Sequence, residues 1–423
     1  MSDSMAGGAV RAVPIAPSER QAALDVLRGA ALLGILLVNV GLMAGPRFVV
    51  ALFGDAPDQS ILERVIGGLV GWLVAGKFIS SFSILFGLGA AVIAARALAR
   101  GRAPRRVLAR RYGLLVLMGL AHTVLLFPGD VLFIYGLTGL VLLLFLKLSD
   151  RTLGIWAVSL IGVMTVGVTV LLVGETLFEA GGGLADDPFV LDAIEAAAAG
   201  EAAYRAGDYG GVIVWNSLQS LVIQADAILA LPWTLGLFLI GMIAYRRGYA
   251  LDPAAHRDAL VRIARRAIPV GLVLNLPFLL TGPLGASLGT GDDPPLVLVI
   301  GVGVATLLGA PVLAVGYMSA LAVLVVDRGA DRGLRRRLAA LGRIALTGYL
   351  LQSMLAVAVF LGLRLYGRTE LLGEVLLGEL AFVAVVWTLL LLLAPWWTAR
   401  FRYGPFEWLW RWGTYGVRPQ MRA

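Results

Sequence analysis

Apolar runs long enough to cross a bilayer recur along the whole chain, separated by short polar stretches in which arginine-rich and acid-bearing segments alternate. A run of about 20 apolar residues spans the hydrocarbon core as a helix. The strict alternation of a β-barrel is absent, and lipid admits only helices or closed barrels. The pattern therefore predicts an all-α polytopic membrane protein of about ten transmembrane helices. Spans are expected near 22–43, 77–95, 109–127, 130–147, 153–174, 223–245, 266–281, 294–326, 343–363 and 374–394. Residues 62–95 exceed one untilted span, which predicts an interfacial helix near 61–75 before the second span. Pro311 interrupts 294–326, so that span is expected to be tilted or kinked.

Charge orients these elements. The stretch from Arg96 to Arg111 carries Arg96, Arg100, Arg102, Arg105, Arg106, Arg110 and Arg111 without an acid, and 246–266 and 328–343 are also basic. By the positive-inside rule these loops are cytoplasmic, and ten spans with both termini inside satisfy the alternation. Residues 1–21 read as a cytoplasmic tail and 22–43 as an uncleaved anchor. Residues 22–174 then form one five-helix half and 223–394 a second. Between them 175–222 reads as an external acidic loop with short helices of its own, carrying Glu175, Glu179, Asp186, Asp187, Asp192, Glu195, Glu201 and Asp208 against Arg205 alone. The tryptophans and arginines of 395–423 predict an interfacial membrane anchor.

Composition narrows the chemistry. The 423 residues are 59% apolar and 15% charged, and no cysteine is present, which excludes disulfides, thiolate metal sites and a thiol nucleophile. Net charge is +8, carried by 33 arginines and two lysines, Lys77 and Lys147. In this context the excess reports topology rather than nucleic acid. Gly71 to Lys77 spells most of a phosphate loop, but Phe78 stands where Ser or Thr is needed and no strand precedes it. Gly285-Ala-Ser287-Leu-Gly289 lacks the sheet that a nucleophile elbow requires. Without a nucleotide site an ATP-driven pump is disfavoured, and no metal site is expected.

His122 is the only histidine within a span, and an ionisable group at that depth is expensive, so it is the leading functional candidate. Asp130 follows across the Pro128-Gly129 turn, placing both toward the outer face with His122 about 9 Å in. A histidine oriented by a carboxylate is a ready general base. The alternative is a structural bond stapling spans 3 and 4. Asp25 and Arg28 sit three residues apart on one helical face at the mouth of the first span. They pair with each other or hold the phosphates of a cytoplasmic ligand. Lys77 binds an anion, neutralises an acid such as Asp130, or snorkels to the outer interface. Asp226 enters span 6 with Gln219 and Gln224, which suggests a polar cavity.

Several ordered motifs resemble one family. They are Leu24-Asp25-Val26-Leu27-Arg28-Gly29 with Leu37-Val38-Asn39, and Gly76-Lys77-Phe78 leading to Phe82-Ser83-Ile84-Leu85-Phe86-Gly87. Gly119-Leu-Ala-His122, Gly129-Asp130-Val-Leu-Phe-Ile-Tyr135 and Gly241-Met-Ile-Ala-Tyr-Arg246 continue the set. So do Gly342-Arg343-Ile-Ala-Leu-Thr347-Gly-Tyr349-Leu-Leu-Gln352-Ser353 and Tyr403-Gly404-Pro405-Phe-Glu407-Trp408-Leu-Trp410-Arg411. This set resembles the YeiB-like family of bacterial inner-membrane proteins over the whole chain. Gly348 departs from the asparagine that the family more often has. The family is distantly similar to transmembrane acyltransferases of the heparan-α-glucosaminide N-acetyltransferase type, which pass an acyl group from cytoplasmic acyl-CoA to an acceptor beyond the membrane through an embedded histidine.

The resemblance implies His122 in that role with Asp130 orienting it, and Arg28 at the donor end with arginines of the cytoplasmic loops. On this reading Asn39, Lys77 or Tyr135 are candidate oxyanion donors, and Asp25, Ser83, Asp226, Arg343, Tyr349 and Gln352 candidate substrate-binding residues. Acyl-CoA is a co-substrate, with no tightly bound cofactor. Lipid surrounds the protein, a glycan or lipid accepts, nucleic acid is not a partner, and a homo-oligomer is allowed. The expected location is the bacterial inner membrane. The competing reading is a transporter or lipid/ion translocator with a His122–Asp130 proton relay.

Overall fold

In hydrocarbon every backbone N–H and C=O needs a partner within its own segment, so the apolar runs become helices. A computed structural model of the chain describes residues 17–45, 60–179, 188–281, 295–362 and 375–422. Nine of the described helical stretches are long and apolar enough to cross a membrane, and two shorter apolar helices accompany them. The chain is an all-α polytopic membrane protein.

In chain order, α1 is Pro17–Met43, α2 Ile61–Leu73, α3 Lys77–Ala99, α4 Pro104–Leu125, α5 Leu132–Leu142 and α6 Asp150–Glu179. Then come α7 (Pro188–Ala206), α8 (Tyr209–Leu229), α9 (Leu231–Arg246), α10 (Arg257–Leu274) and the short α11 (Pro277–Leu280). A π-turn at Ala305–Gly309 joins α12 (Leu296–Val304) to α13 (Ala310–Arg328). The last helices are α14 (Gly333–Arg343), α15 (Ala345–Ala356, ending in a π-turn at Val357–Gly362), α16 (Val375–Thr398) and α17 (Pro405–Tyr415).

The breaks have local causes. Ser60 and Glu63 form a capping box that starts α2, and Gly76, at φ 79°, separates α2 from α3. Pro311 has no N–H for the carbonyl of Leu307, four residues earlier. The chain widens into the π-turn there, and the Trp233 indole N–H donates to that carbonyl at 2.8 Å. The kink expected at Pro311 is thus accommodated by a side chain from α9.

Two helices depart from the expected lengths. α5 has 11 residues, about 16 Å, roughly half the hydrocarbon thickness. Turns fill the rest of the stretch read as 130–147. The Arg246 guanidinium donates there to the carbonyls of Leu146 (2.8 Å) and Leu148 (2.6 Å). The boundary read at 222 falls inside α8, and α9 begins afresh at Leu231 with a proline in its first turn. The polar residues that make 209–222 look like a loop are used in docking. Tyr209 Oη donates to Leu125 O at 2.7 Å and Asn216 Nδ2 to Val124 O at 3.4 Å, both on α4.

Paired glycines let two helix couples touch backbone to backbone. A Cβ on Gly87 of α3 would lie 1.9 Å from Phe238 O of α9, and one on Gly241 of α9 would lie 1.9 Å from Ile84 O of α3. Gly29 of α1 meets Leu338 O of α14 in the same way, and Gly342 of α14 meets Asp25 O of α1. Small residues at reciprocal positions are how helices approach closely in lipid. The second couple brings Arg28 and Arg343 to one end of the bundle.

Candidate functional site

His122 lies in the last turn of α4, and the turn at Pro128-Gly129 folds the chain back so that Asp130 faces it. The ring Nδ1 is 2.7 Å from Asp130 Oδ1. Asp130 Oδ2 also accepts the Phe133 N–H at 2.8 Å, capping α5, and the Tyr349 hydroxyl donates to Oδ1 at 3.3 Å. On the other side His122 Nε2 is 3.0 Å from Ser353 Oγ. Asp130 already accepts from the Phe133 N–H and the Tyr349 hydroxyl, so we assign it as acceptor from His122 too, with the ring proton on Nδ1 and Nε2 accepting the Ser353 hydroxyl. His122 and Asp130 are each 3% exposed and Ser353 is fully buried.

Aromatic rings pack the histidine, with Tyr349 at 5.2 Å and Phe127 at 6.2 Å between centroids. Beyond the turn, Gln224 of α8 closes the site. Its amide lies 3.3 Å from Thr123 Oγ1, 3.2 Å from Pro128 O and 3.1 Å from Asp130 O. The pair is therefore roofed by α8 rather than open to the face where the sequence places it.

A cavity of about 570 Å³ enters from the arginine-rich end. Its mouth is lined by Arg28, Arg96, Arg111, Arg343, Arg402 and Arg411, against the acids Asp25 and Glu407. Asp25 pairs with Arg28 at 3.1 Å. The Arg111 guanidinium stacks 3.4 Å from the centre of the Trp410 ring, whose N–H donates to Arg111 O at 2.8 Å. Glu407 accepts the backbone N–H groups of Leu346 (2.7 Å) and Thr347 (3.1 Å) and the Thr347 hydroxyl. Its charge is thus spent on the N-terminus of α15. Burial pushes the Glu407 carboxyl above its ordinary range, opposed by those hydrogen bonds.

Its apolar walls include Ile35, Phe82, Leu85, Phe86 and Leu132, and Val131, Tyr135 and Tyr349 also line it. Tyr349 thus both lines the cavity and donates to Asp130. A cavity with a cationic mouth and apolar walls suits an elongated ligand with an anionic head.

Of the residues singled out in the sequence, Asp25, Arg28, Tyr135, Arg343 and Tyr349 line this cavity, while His122 and Asp130 meet behind it. Asn39, Lys77, Ser83 and Gln352 do not line it. Lys77 is fully buried, with Nζ donating to Gly71 O at 2.7 Å and lying 5.0 Å from the centre of the Phe278 ring. It neither snorkels nor meets Asp130, because the break at Gly76 turns it onto the end of α2. Ser83 contacts Tyr135 Oη at 2.9 Å and Gln352 donates to Leu32 O at 3.2 Å, so both tie helices together. The Asn39 amide nitrogen is buried with no hydrogen-bond partner among the described residues. Asp226 falls outside the described side chains.

Two features escaped the sequence. Ser353 lies four residues after Tyr349, hence on the same helical face, which was the available signal. The C-terminal aromatic stretch, expected to be a membrane anchor, also builds one wall of the cavity through Arg402, Tyr403, Glu407, Trp410 and Arg411. No cluster of three or more metal-binding side chains occurs among the described residues.

Residues 244–417 match a family described as a protein of unknown function, DUF418. The chain is 29% identical over 419 residues to the uncharacterised protein YxaH of Bacillus subtilis, covering 95% of this chain and 96% of the relative. It is 30% identical over 407 residues to the uncharacterised protein YeiB of Escherichia coli, covering 93% and 96%. A 39.9 kDa protein from the amylase 3′ region of Bacillus acidopullulyticus is 26% identical over 410 residues, covering 95% and 96%. No solved structure matches the chain.

Proposed function

The chain belongs to the YeiB-like family of membrane proteins, and from its own geometry we propose that it is an acyl-CoA-dependent acyltransferase of the bacterial inner membrane. The carrying observation is the continuity of the arginine-lined cavity with Tyr349, the residue bonded to Asp130 of the histidine pair. Both termini and the arginine mouth face the cytoplasm in this reading.

The donor's phosphates bind at the mouth, where Arg28, Arg96, Arg343 and Arg402 offer forked N–H donors to phosphate oxygens. Its thin arm runs down the apolar walls between α1 and α3. The thioester carbonyl arrives at Tyr349, whose ring swings aside from His122. Tyr349 then turns its hydroxyl from Asp130 to the oxyanion as negative charge develops there. His122 acts as general base, with Asp130 fixing its tautomer and stabilising the imidazolium. A glycan or lipid hydroxyl or amine accepts the acyl group on the far side, which it reaches once Gln224 of α8 moves off Pro128 and Asp130.

The test is purified full-length protein given isotope-labelled acetyl-CoA, with CoA release and label transfer followed. His122→Ala abolishes CoA release while the protein still elutes as a folded monodisperse species. Unchanged release in that variant overturns the mechanism. Substrate flux in proteoliposomes without CoA consumption assigns the protein to translocation instead.

A further inference from the structure

We infer that Ser353 is the nucleophile that carries the acyl group, so that transfer proceeds through an acyl-serine enzyme; this rests on the acyltransferase reading above. The imidazole of His122 has two nitrogens, and both are engaged. Nδ1 faces Asp130 at 2.7 Å and Nε2 faces Ser353 Oγ at 3.0 Å. With the proton on Nδ1, the lone pair on Nε2 is the ring's one basic site, and the hydroxyl already aimed at it belongs to the protein. An acceptor alcohol has no lone pair to give its proton to until Ser353 has moved. The first proton that His122 takes is therefore that of Ser353.

The serine's own geometry agrees. Ser80, Ser81, Ser83 and Ser217 each donate to the carbonyl four residues back in their helices, the habit of serine within a helix. The hydroxyl of Ser353 instead points across to α4, and its bond to His122 is the one it makes among the described residues. Nucleophile, base and orienting carboxylate are thus in hydrogen-bond sequence, the arrangement by which a weak nucleophile is activated. Ser353 lies one turn, about 6 Å of rise, beyond Tyr349 on α15. A thioester that displaces the Tyr349 ring at the end of the cavity is delivered to it.

In the first half-reaction Ser353 Oγ bonds to the thioester carbonyl carbon as its proton passes to His122 Nε2. The carbon–sulfur bond then breaks, and the CoA thiolate leaves with that proton. In the second, the acceptor gives its proton to Nε2 while its oxygen or nitrogen attacks the ester carbonyl. Ser353 departs and regains the proton. Donor and acceptor never need to occupy the site together, which suits a protein whose two substrates arrive from opposite faces.

The experiment uses full-length protein in nanodiscs with acetyl-CoA labelled in the acetyl group and no acceptor, quenched in acid and mapped by peptide mass spectrometry. The expected result is label on the peptide containing Ser353, resistant to neutral hydroxylamine as an oxygen ester is. Ser353→Ala loses the label and about a thousandfold in CoA release. Ser353→Cys guards against a folding defect, since it restores a label that neutral hydroxylamine now cleaves. Label on His122, or CoA release within tenfold of wild type in Ser353→Ala, overturns the acyl-serine while leaving the acyltransferase intact. Wild-type protein that neither releases CoA nor takes label overturns both.

Discussion

Gly342→Ala tests the link between helix packing and the cavity mouth. A methyl there would sit 1.8 Å from Asp25 O and 2.6 Å from the carbonyl carbon, and both atoms are backbone. Carbon and carbonyl oxygen settle at about 3.3 Å, so α1 and α14 must part by about 1.5 Å. Overpacking of this kind costs about 3 kcal/mol when no flexible side chain can yield. Alanine returns about 1 kcal/mol of helix propensity, leaving a net loss of about 2 kcal/mol. At about 2.1 cal/mol/K of unfolding entropy per residue, a chain of this length melts about 1 °C lower per kcal/mol, so about 2 °C is expected.

The same separation moves Arg28 away from Arg343. On the acyl-CoA reading, loss of one charge-assisted bond to a phosphate, about 1.5 kcal/mol, should weaken CoA binding about tenfold. Gly162→Ala is the control, because nothing lies within 4 Å of its added carbon. It gains propensity and melts about 1 °C higher. Tryptophan-fluorescence melts in detergent, with CoA titration by calorimetry, give both readouts. The reasoning fails if Gly342→Ala melts with or above Gly162→Ala.

Asp130→Asn replaces an acceptor with a group that no longer fixes the proton on Nδ1, and CoA release should fall by about 10³ to 10⁴ with the fold retained, read by stopped assays at saturating acetyl-CoA. Arg343→Glu should raise the acetyl-CoA concentration for half-saturation at least tenfold with little change in maximal rate, separating mouth from base in steady-state kinetics. Because burial raises the Glu407 carboxyl, the folded protein favours its protonated form. That contribution is full below the ordinary value of 4.5 and is lost as pH rises through the raised value. Melting temperature against pH should therefore decline across that window in wild type, and Glu407→Gln should flatten the decline. The same variant removes a negative charge from the mouth and should tighten CoA binding, as titration would show. Lys77→Met keeps the length of the side chain and loses the charge, the bond to Gly71 O and the contact with the Phe278 ring. CoA release should be unchanged in it, since Lys77 is outside the cavity.

The helical membrane fold was legible because its signal, runs of apolar residues longer than a bilayer requires, is local and strong. Helix breaks at Gly76 and Pro311 were legible for the same reason. α8 was not, because its sequence falls in a stretch read as an external loop from its eight acids, and only tertiary contact shows that Tyr209, Asn216 and Gln224 dock it on α4 and the turn that follows. The His122–Asp130 pair could be read because a tight turn joins its members. Ser353 lies 231 residues from His122, and no spacing rule reaches that far. The cavity wall built by 402–411 was hidden by an ambiguity of chemistry. Alternating tryptophan and arginine describe a lipid interface and a stacked anion site equally well.

α15 is a single rigid rod with three jobs along its length. Its first turn is held by Glu407 beside the arginines, Tyr349 follows one turn on, and Ser353 follows a turn later. On the acyl-CoA reading, phosphates held beside Glu407 would sit about two turns, about 10 Å of rise, from the Ser353 hydroxyl along this one helix, so the mouth and the imidazole share a single element.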